Sequence, residues 1–249
     1  MRLAYAKVGN GHPIVKVADC FNHLDFEWDS PIWRHWVREF GSSFSLVRYD
    51  GRGSGLSDWE VEDVSFEAWI HDLEKVVDAA GLEKFSLMGH SQGGAVAIAY
   101  AVRHPERVSH LVLWGGYARG AYHRDIPDAV EVRRALETLV QLNWGRTNPS
   151  FFQMVTDLYI PEKATPEEQS WFRSPAGFDF ARQPRAGTCE PATTSTCARS
   201  CRLSACRTIV FHSDRDTNCA STGRQNSSGR HSRRSLRPSR QRESRAARR

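Results

Sequence analysis

At residues 86–108 the chain reads SLMGHSQGGAVAIAYAVRHPERV, a single serine between glycines where an apolar strand pattern becomes a helical one with no loop between them. Residues 85–88 predict a strand, and residues 92–104 predict a helix. So abrupt a turn brings the two backbones close, so positions two before and two after the serine must be small. Gly89 and Gly93 meet that need, and Gly94 and Ala97 keep the next turn slim. The bend lifts the serine side chain above the sheet and aims the free N–H groups and positive dipole end of the helix at it. A serine hydroxyl is nearly un-ionised at neutral pH and becomes a nucleophile only beside a base and facing oxyanion donors. Chance produces G-x-S-x-G about once in ten chains of this length. It does not also supply the strand before the pattern and the helix after it. Ser91 is therefore the candidate nucleophile.

The surrounding pattern predicts an α/β domain with a mostly parallel sheet and helices on both faces. Residues 3–8 and 13–18 read as a hairpin around GNGHP. PIWRHWVREF (residues 31–40) predicts a helix with Pro31 at its start and Ile32, Trp33, Trp36, Val37 and Phe40 on one face. Residues 44–49 predict a strand, and residues 65–80 an amphipathic helix ended by Gly81. Residues 108–114 predict another buried strand. From Tyr117 helical segments follow one another near residues 128–142, 151–158 and 165–172, as expected of a cap inserted over a pocket. Its aromatics Trp144, Phe151, Phe152, Tyr159 and Trp171 are candidates for pocket wall or local core. CRTIVFHSDRD (residues 206–216) restores a core strand. The expected division is a core over 1–117, a helical cap over 118–180, a degraded return to the core over 181–216, and an irregular basic tail over 217–249.

The net charge of +5 averages two unlike segments. Residues 182–249 hold 16 arginines, no lysine and four acids, for +12, while residues 1–181 hold 18 bases and 25 acids, for −7. Five of the six cysteines crowd into residues 189–219, and only Cys20 lies in the body. No secretory context supports a disulfide framework, and Cys197-x₃-Cys201 has no second pair to complete a zinc site. The composition of residues 182–205 and 217–249 is that of a GC-rich gene read out of frame. The competing reading is a basic arm for anionic surfaces; without interleaved aromatics its binding would be nonspecific and salt-sensitive. No apolar run is long enough to span a bilayer, and the N-terminus is not signal-like. The expectation is a cytoplasmic protein with a small-molecule substrate, no specific nucleic acid, no membrane and no assigned oligomeric state.

LVRYDGRGSGLSDW (residues 46–59) and LMGHSQGGAVAIAYAVRHPERVSHLVLWGGYARG (residues 87–120) carry a family resemblance. Over roughly residues 1–180 the chain resembles the α/β-hydrolase fold, and more narrowly bacterial serine hydrolase and esterase-like domains. In the first motif Asp50 and Arg52 are expected to organise a loop by hydrogen bonds. The resemblance implies that the N–H of Gln92 is one oxyanion donor. A second is implied on the loop after strand 14–17, where many relatives have His-Gly and this chain has VADCFNHLD; an N–H near Asp19 or Cys20 would serve if the Asp19 carboxylate turned away. It also implies an acid after a late strand, which points to Asp216 with Asp214 as the neighbouring alternative, unless both are surface turn residues.

The family's base lies further on. Of ten histidines only His231 follows Asp216, fifteen residues on and with no strand before it. His90 reads as elbow packing or pocket wall, and His23 and His123 as residues at a pocket mouth. His35, His71, His104 and His110 read as ordinary partly exposed residues. The implied chemistry is hydrolysis of a small carboxylic ester or related acyl compound by Ser91, Asp216 and His231, with Gln92 and Cys20 as oxyanion donors and no metal or organic cofactor. The same triad also supports cofactor-free haloperoxidase or perhydrolase activity. The altered loop and the absent evident base favour instead a catalytically impaired sensor or binding module.

Overall fold

The computed structural model describes residues 1–19, 22–117, 122, 128–143, 148–159, 164–173 and 206–211. In chain order the elements are β1 (Tyr5–Val8), β2 (Pro13–Lys16), α1 (Leu24–Asp29), α2 (Arg34–Ser43), β3 (Ser45–Tyr49), α3 (Phe66–Ala79), β4 (Phe85–His90), α4 (Gly93–Arg103) and β5 (Val108–Trp114). Helices α5 (Ala129–Asn143), α6 (Pro149–Tyr159) and α7 (Pro166–Arg173) follow, then β6 (Arg207–Phe211). The strands form one sheet in the order β1-β3-β2-β4-β5-β6, parallel throughout except for β1 against β3. This is the mostly parallel α/β sheet that the sequence pattern implies.

Each interior strand alternates its side chains between two apolar layers. Val15, Val47, Phe85, Leu87 and Leu111 face α3 and α4, with Ile70, Leu73, Val77, Val96 and Tyr100. Ile14, Leu46 and Met88 face the opposite side, against Val37 of α2. Helix α3 begins where Ser65 caps the amide of Ala68 at 3.2 Å, and its chain reverses at Gly81 with a φ of 65°.

Two local expectations are corrected. Residues 3–8 and 13–18 do not form a hairpin, because β3 lies between β1 and β2. Strand β2 is buried almost throughout and pairs in parallel on both sides, which its apolar run Ile14-Val15 suits, while half-exposed β1 takes the edge. Helix α2 starts three residues after Pro31, because Ser30 closes α1 and its hydroxyl accepts the amides of Ile32 and Trp33 at 3.1 and 3.4 Å. Residues 30–33 are thus a turn between two helices.

The loop after β3 is organised as expected. Arg52 grips Asp72 of α3 through Nε at 2.8 Å and Nη2 at 2.7 Å, while Nη2 also donates to Ala68 O and Nη1 to Asp63 O. Asp50 is fully buried, and its Oδ2 accepts the amides of Leu56 at 2.9 Å and Leu24 at 3.3 Å. Its Oδ1 has no described partner. Burial pushes this carboxyl up, and the two amides and His23 offset only part of that. An acid with a raised folded pKa adds stability below its ordinary value, and that stability is lost as pH rises through the folded value. Asp50→Asn keeps an acceptor without the charge. Urea unfolding should show wild type gaining on Asp50→Asn as pH falls from neutral toward 3.8. A difference independent of pH would contradict a buried, charged Asp50.

Beyond β5 the helices build a small core of their own. Phe151 and Val155 of α6 pack with Val140, Phe152, Met154 and Trp171, and with Ile32 from the turn before α2. Three of the five aromatics singled out after residue 117 are therefore packing residues or border on them; Trp144 lies outside the described residues. Strand β6 is corrected from core to edge: it pairs with β5 in register from His110↔Arg207 to Trp114↔Phe211, yet all five of its residues are exposed. No described element covers either of its faces. Among the described residues no helix is long and apolar enough to cross a membrane.

Candidate active site

Strand β4 ends at His90 and α4 begins at Gly93, leaving Ser91 and Gln92 to make the whole reversal. Ser91 has a φ of 48°, a left-handed conformation that a side chain adopts at some cost. Its backbone is fixed on both sides: its amide donates to Trp114 O at 3.0 Å, and its carbonyl accepts from Gly94 at 3.1 Å. The side chain is neither buried nor inside regular structure. Gly93 lies under the loop after β2, and a Cβ there would sit 3.0 Å from Ala18 O and 3.2 Å from Val17 O. Gly94 approaches Gly116 as closely, so the elbow is wedged between two loops at the carboxyl end of the sheet.

Gln92 starts the helical turn with φ −57° and ψ −37°. Its amide donates to no described acceptor, as a first-turn N–H should. Of the two residues considered for the second donor, Asp19 has its N–H committed to Asn22 Oδ1 at 2.6 Å. Its carboxylate does turn aside, toward His90 Nδ1 at 2.9 Å and Lys16 Nζ at 3.5 Å. A carboxylate only accepts, so His90 carries its proton on Nδ1. Cys20 lies outside the described residues.

The histidines sort by geometry. The His90 ring packs edge-on to Trp33 at 5.3 Å and against Trp114 at 5.1 Å, as a wall beside the elbow. The His23 ring caps the amide of Phe26 at the start of α1. His104 pairs with Glu74 at 2.8 Å, and His12 bonds Ser86 at 2.9 Å at the opposite end of the sheet. His35, His71 and His110 are exposed. Among the described residues no imidazole hydrogen-bonds Ser91. His123, Asp214, Asp216 and His231 lie outside the described residues. Strand β6 leads toward Asp216: its last residue, Phe211, accepts the amide of Gly115 at 2.9 Å, beside the Gly116 that touches the elbow.

Sequence reading missed the charged cluster under the loop after β2, where Lys16, Asn22 and Glu27 are buried with Asp19. The available signal was one lysine inside the apolar run PIVKV, followed within eleven residues by Asp19 and Glu27.

A family model described as the alpha/beta hydrolase fold matches residues 21–174. Epoxide hydrolase 3 of Xenopus tropicalis is 34% identical over 93 residues, covering 36% of this chain and 25% of that protein. The 2-hydroxymuconate semialdehyde hydrolase of Pseudomonas sp. (strain CF600) is 33% identical over 123 residues, covering 49% of this chain and 38% of that protein. The chain thus spans well under half the length of these curated relatives. An esterase from Exiguobacterium antarcticum has the same fold, with a TM-score of 0.59 at 20% identity, covering 84% of this chain and 76% of that one. With more than half of its length matched by that model, and with the sheet and elbow in place, the chain belongs to the α/β-hydrolase fold family.

Proposed function

We propose that the protein is a serine hydrolase of small carboxylic esters or related acyl compounds, with Ser91 as its nucleophile. One observation carries this reading: Ser91 stands at a left-handed apex whose following amide, on Gln92, has no described acceptor. Ser91 Oγ attacks the acyl carbon, a base takes its proton, and the Gln92 N–H supports the oxyanion. The alcohol leaves with that proton, and water then releases the acid from the acyl-enzyme. Asp216 is the proposed orienting acid. Since no described histidine reaches Ser91, the base is sought among His123, His212 and His231, with His231 the choice that follows the acid. Helices α5–α7 are the proposed cap. The curated relatives named above are hydrolases, which supports the class of reaction and not the ester.

The test uses a fluorophosphonate probe and a p-nitrophenyl ester on the full chain. Wild type should be labelled and turn over the ester. Ser91→Ala should lose the label and at least about 10³-fold in kcat. An unlabelled wild type would defeat the reading and favour the sensor. That second reading draws on the same lack of a described base at Ser91. It predicts ligand-induced rises in melting temperature without turnover.

A further inference from the structure

Two cations and two anions are buried together beneath the loop that follows β2. Side-chain exposure is 8% for Lys16, 4% for Asp19, 3% for Glu27 and 4% for Arg48. Lys16 Nζ donates to Glu27 Oε1 at 2.9 Å, Asn22 Oδ1 at 3.3 Å and Asp19 Oδ2 at 3.5 Å, so each ammonium hydrogen has an acceptor. Glu27 Oε2 accepts from Arg48 at 2.7 Å. Asn22 Nδ2 donates to Glu27 Oε1 and to Tyr49 O, both at 3.3 Å. The bonds therefore run from β3 through α1 and β2 into the loop, and cross from Asp19 to His90, the residue before Ser91.

Stability alone does not account for such a cluster. Burying each ion costs several kcal/mol, and well-packed apolar residues usually do as well. What the ions add is a single geometry, because each carboxylate and amide has fixed partners on different elements. The loop also has no slack toward the elbow, since the carbonyls of Val17 and Ala18 already abut Gly93.

We propose that Asp19 is a positioning residue: held between Lys16 and His90, it sets the loop after β2 against the elbow, and so keeps Ser91 and the Gln92 amide in place. This rests on the hydrolase reading and assigns Asp19 a part in it. Asp19 touches no reacting atom. It acts by denying the loop a second position, and a displacement of about 1 Å at a reacting centre can cost 10²-fold in rate.

The full-length protein is compared with Asp19→Ala and with Asp19→Asn, which keeps an acceptor for His90 but loses the charge facing Lys16. Amide hydrogen exchange at positions 17 and 19, whose N–H groups bond Met88 O and Asn22 Oδ1, reads the loop directly. It should be roughly tenfold faster in Asp19→Ala, since a bond to a charged group is lost. Ester turnover should lose about 10²-fold in kcat with little change in KM, because the oxyanion contact belongs to the transition state. Asp19→Asn should fall between on both measures, and it carries the test alone if the alanine variant does not fold. Unchanged amide exchange at these positions overturns the proposal, whatever the activity. If wild type shows neither turnover nor labelling, the hydrolase reading fails while amide exchange still decides the positioning role.

Discussion

Gly89→Ala should leave little folded protein, and any that folds should be inactive. One methyl group is added, yet its carbon would lie 2.6 Å from Gly94 Cα, 2.8 Å from Gly93 O and 2.9 Å from Ala97 Cβ. Nonbonded carbons settle at about 3.5–4.0 Å, so all three contacts are repulsive. Two of the three atoms are main chain and the third is the Cβ of alanine, so no rotamer change relieves them. Relief requires α4 to move off β4, which would break the packing of its Val96 and Tyr100 against Leu87 and Leu111. Ordinary overpacking costs about 1–3 kcal/mol; here the neighbours cannot yield, and the cost should exceed that range. Moving α4 also carries the Gln92 amide away from Ser91. Gly81→Ala is the control. Its φ of 65° is unusual for alanine, whereas Gly89 has no positive φ, and nothing lies within 4 Å of the carbon added at Gly81. It should cost only about 1–2 kcal/mol, the price of a left-handed alanine. Urea unfolding and soluble yield measure both. A Gly89→Ala protein as stable as Gly81→Ala would show that the close approach at the elbow is not real.

The same closeness explains why the elbow could be read from sequence while its surroundings could not. Gly89 and Ala97 are constrained by each other and by Gly93 and Gly94, within eight residues, so their demand for small side chains is written locally, whereas Gly93 also answers to Val17 and Ala18 from the loop after β2. Strands β3, β4 and β5 and helix α3 likewise announce themselves by period and caps. The partner of β1 is different. Tyr5 pairs with Tyr49, and no local pattern distinguishes that from pairing with the next strand along. Helix α1 has six residues and takes its cap from a histidine, outside the usual set. Lys16 in a buried strand contradicts any residue-by-residue rule, since lysine is almost never buried unless paired. Its partners come from a helix and a loop that the strand pattern does not foretell. The proposed acid, Asp216, and His231 lie beyond β6, where composition departs from that of the body and periodicity ends.

Glu27→Leu should be among the most damaging single changes away from the elbow, at about 3–5 kcal/mol. That is a large share of the roughly 5–15 kcal/mol that holds a domain folded. The glutamate is 3% exposed and bonds both Lys16, at 2.9 Å, and Arg48, at 2.7 Å. Burial by itself would pull the Lys16 ammonium down, but Asp19 and Glu27 overcome it and hold its pKa above the ordinary value. Leucine fills much of the space yet leaves two desolvated cations, one of them still sharing Asp19 with His90. The loss is therefore a cost of unpaired charge rather than of a cavity, and that distinction can be tested. Adding Lys16→Met and Arg48→Met to Glu27→Leu should restore most of the stability, because apolar residues of similar volume replace a buried ion pair at little or no net cost. A cavity or packing origin predicts the opposite, with each further substitution adding to the damage. Urea unfolding of the single and triple variants at neutral pH separates the two. The restored triple variant should still turn over ester poorly if the cluster's purpose is geometry, since Asp19 would then have lost the lysine that holds it in place.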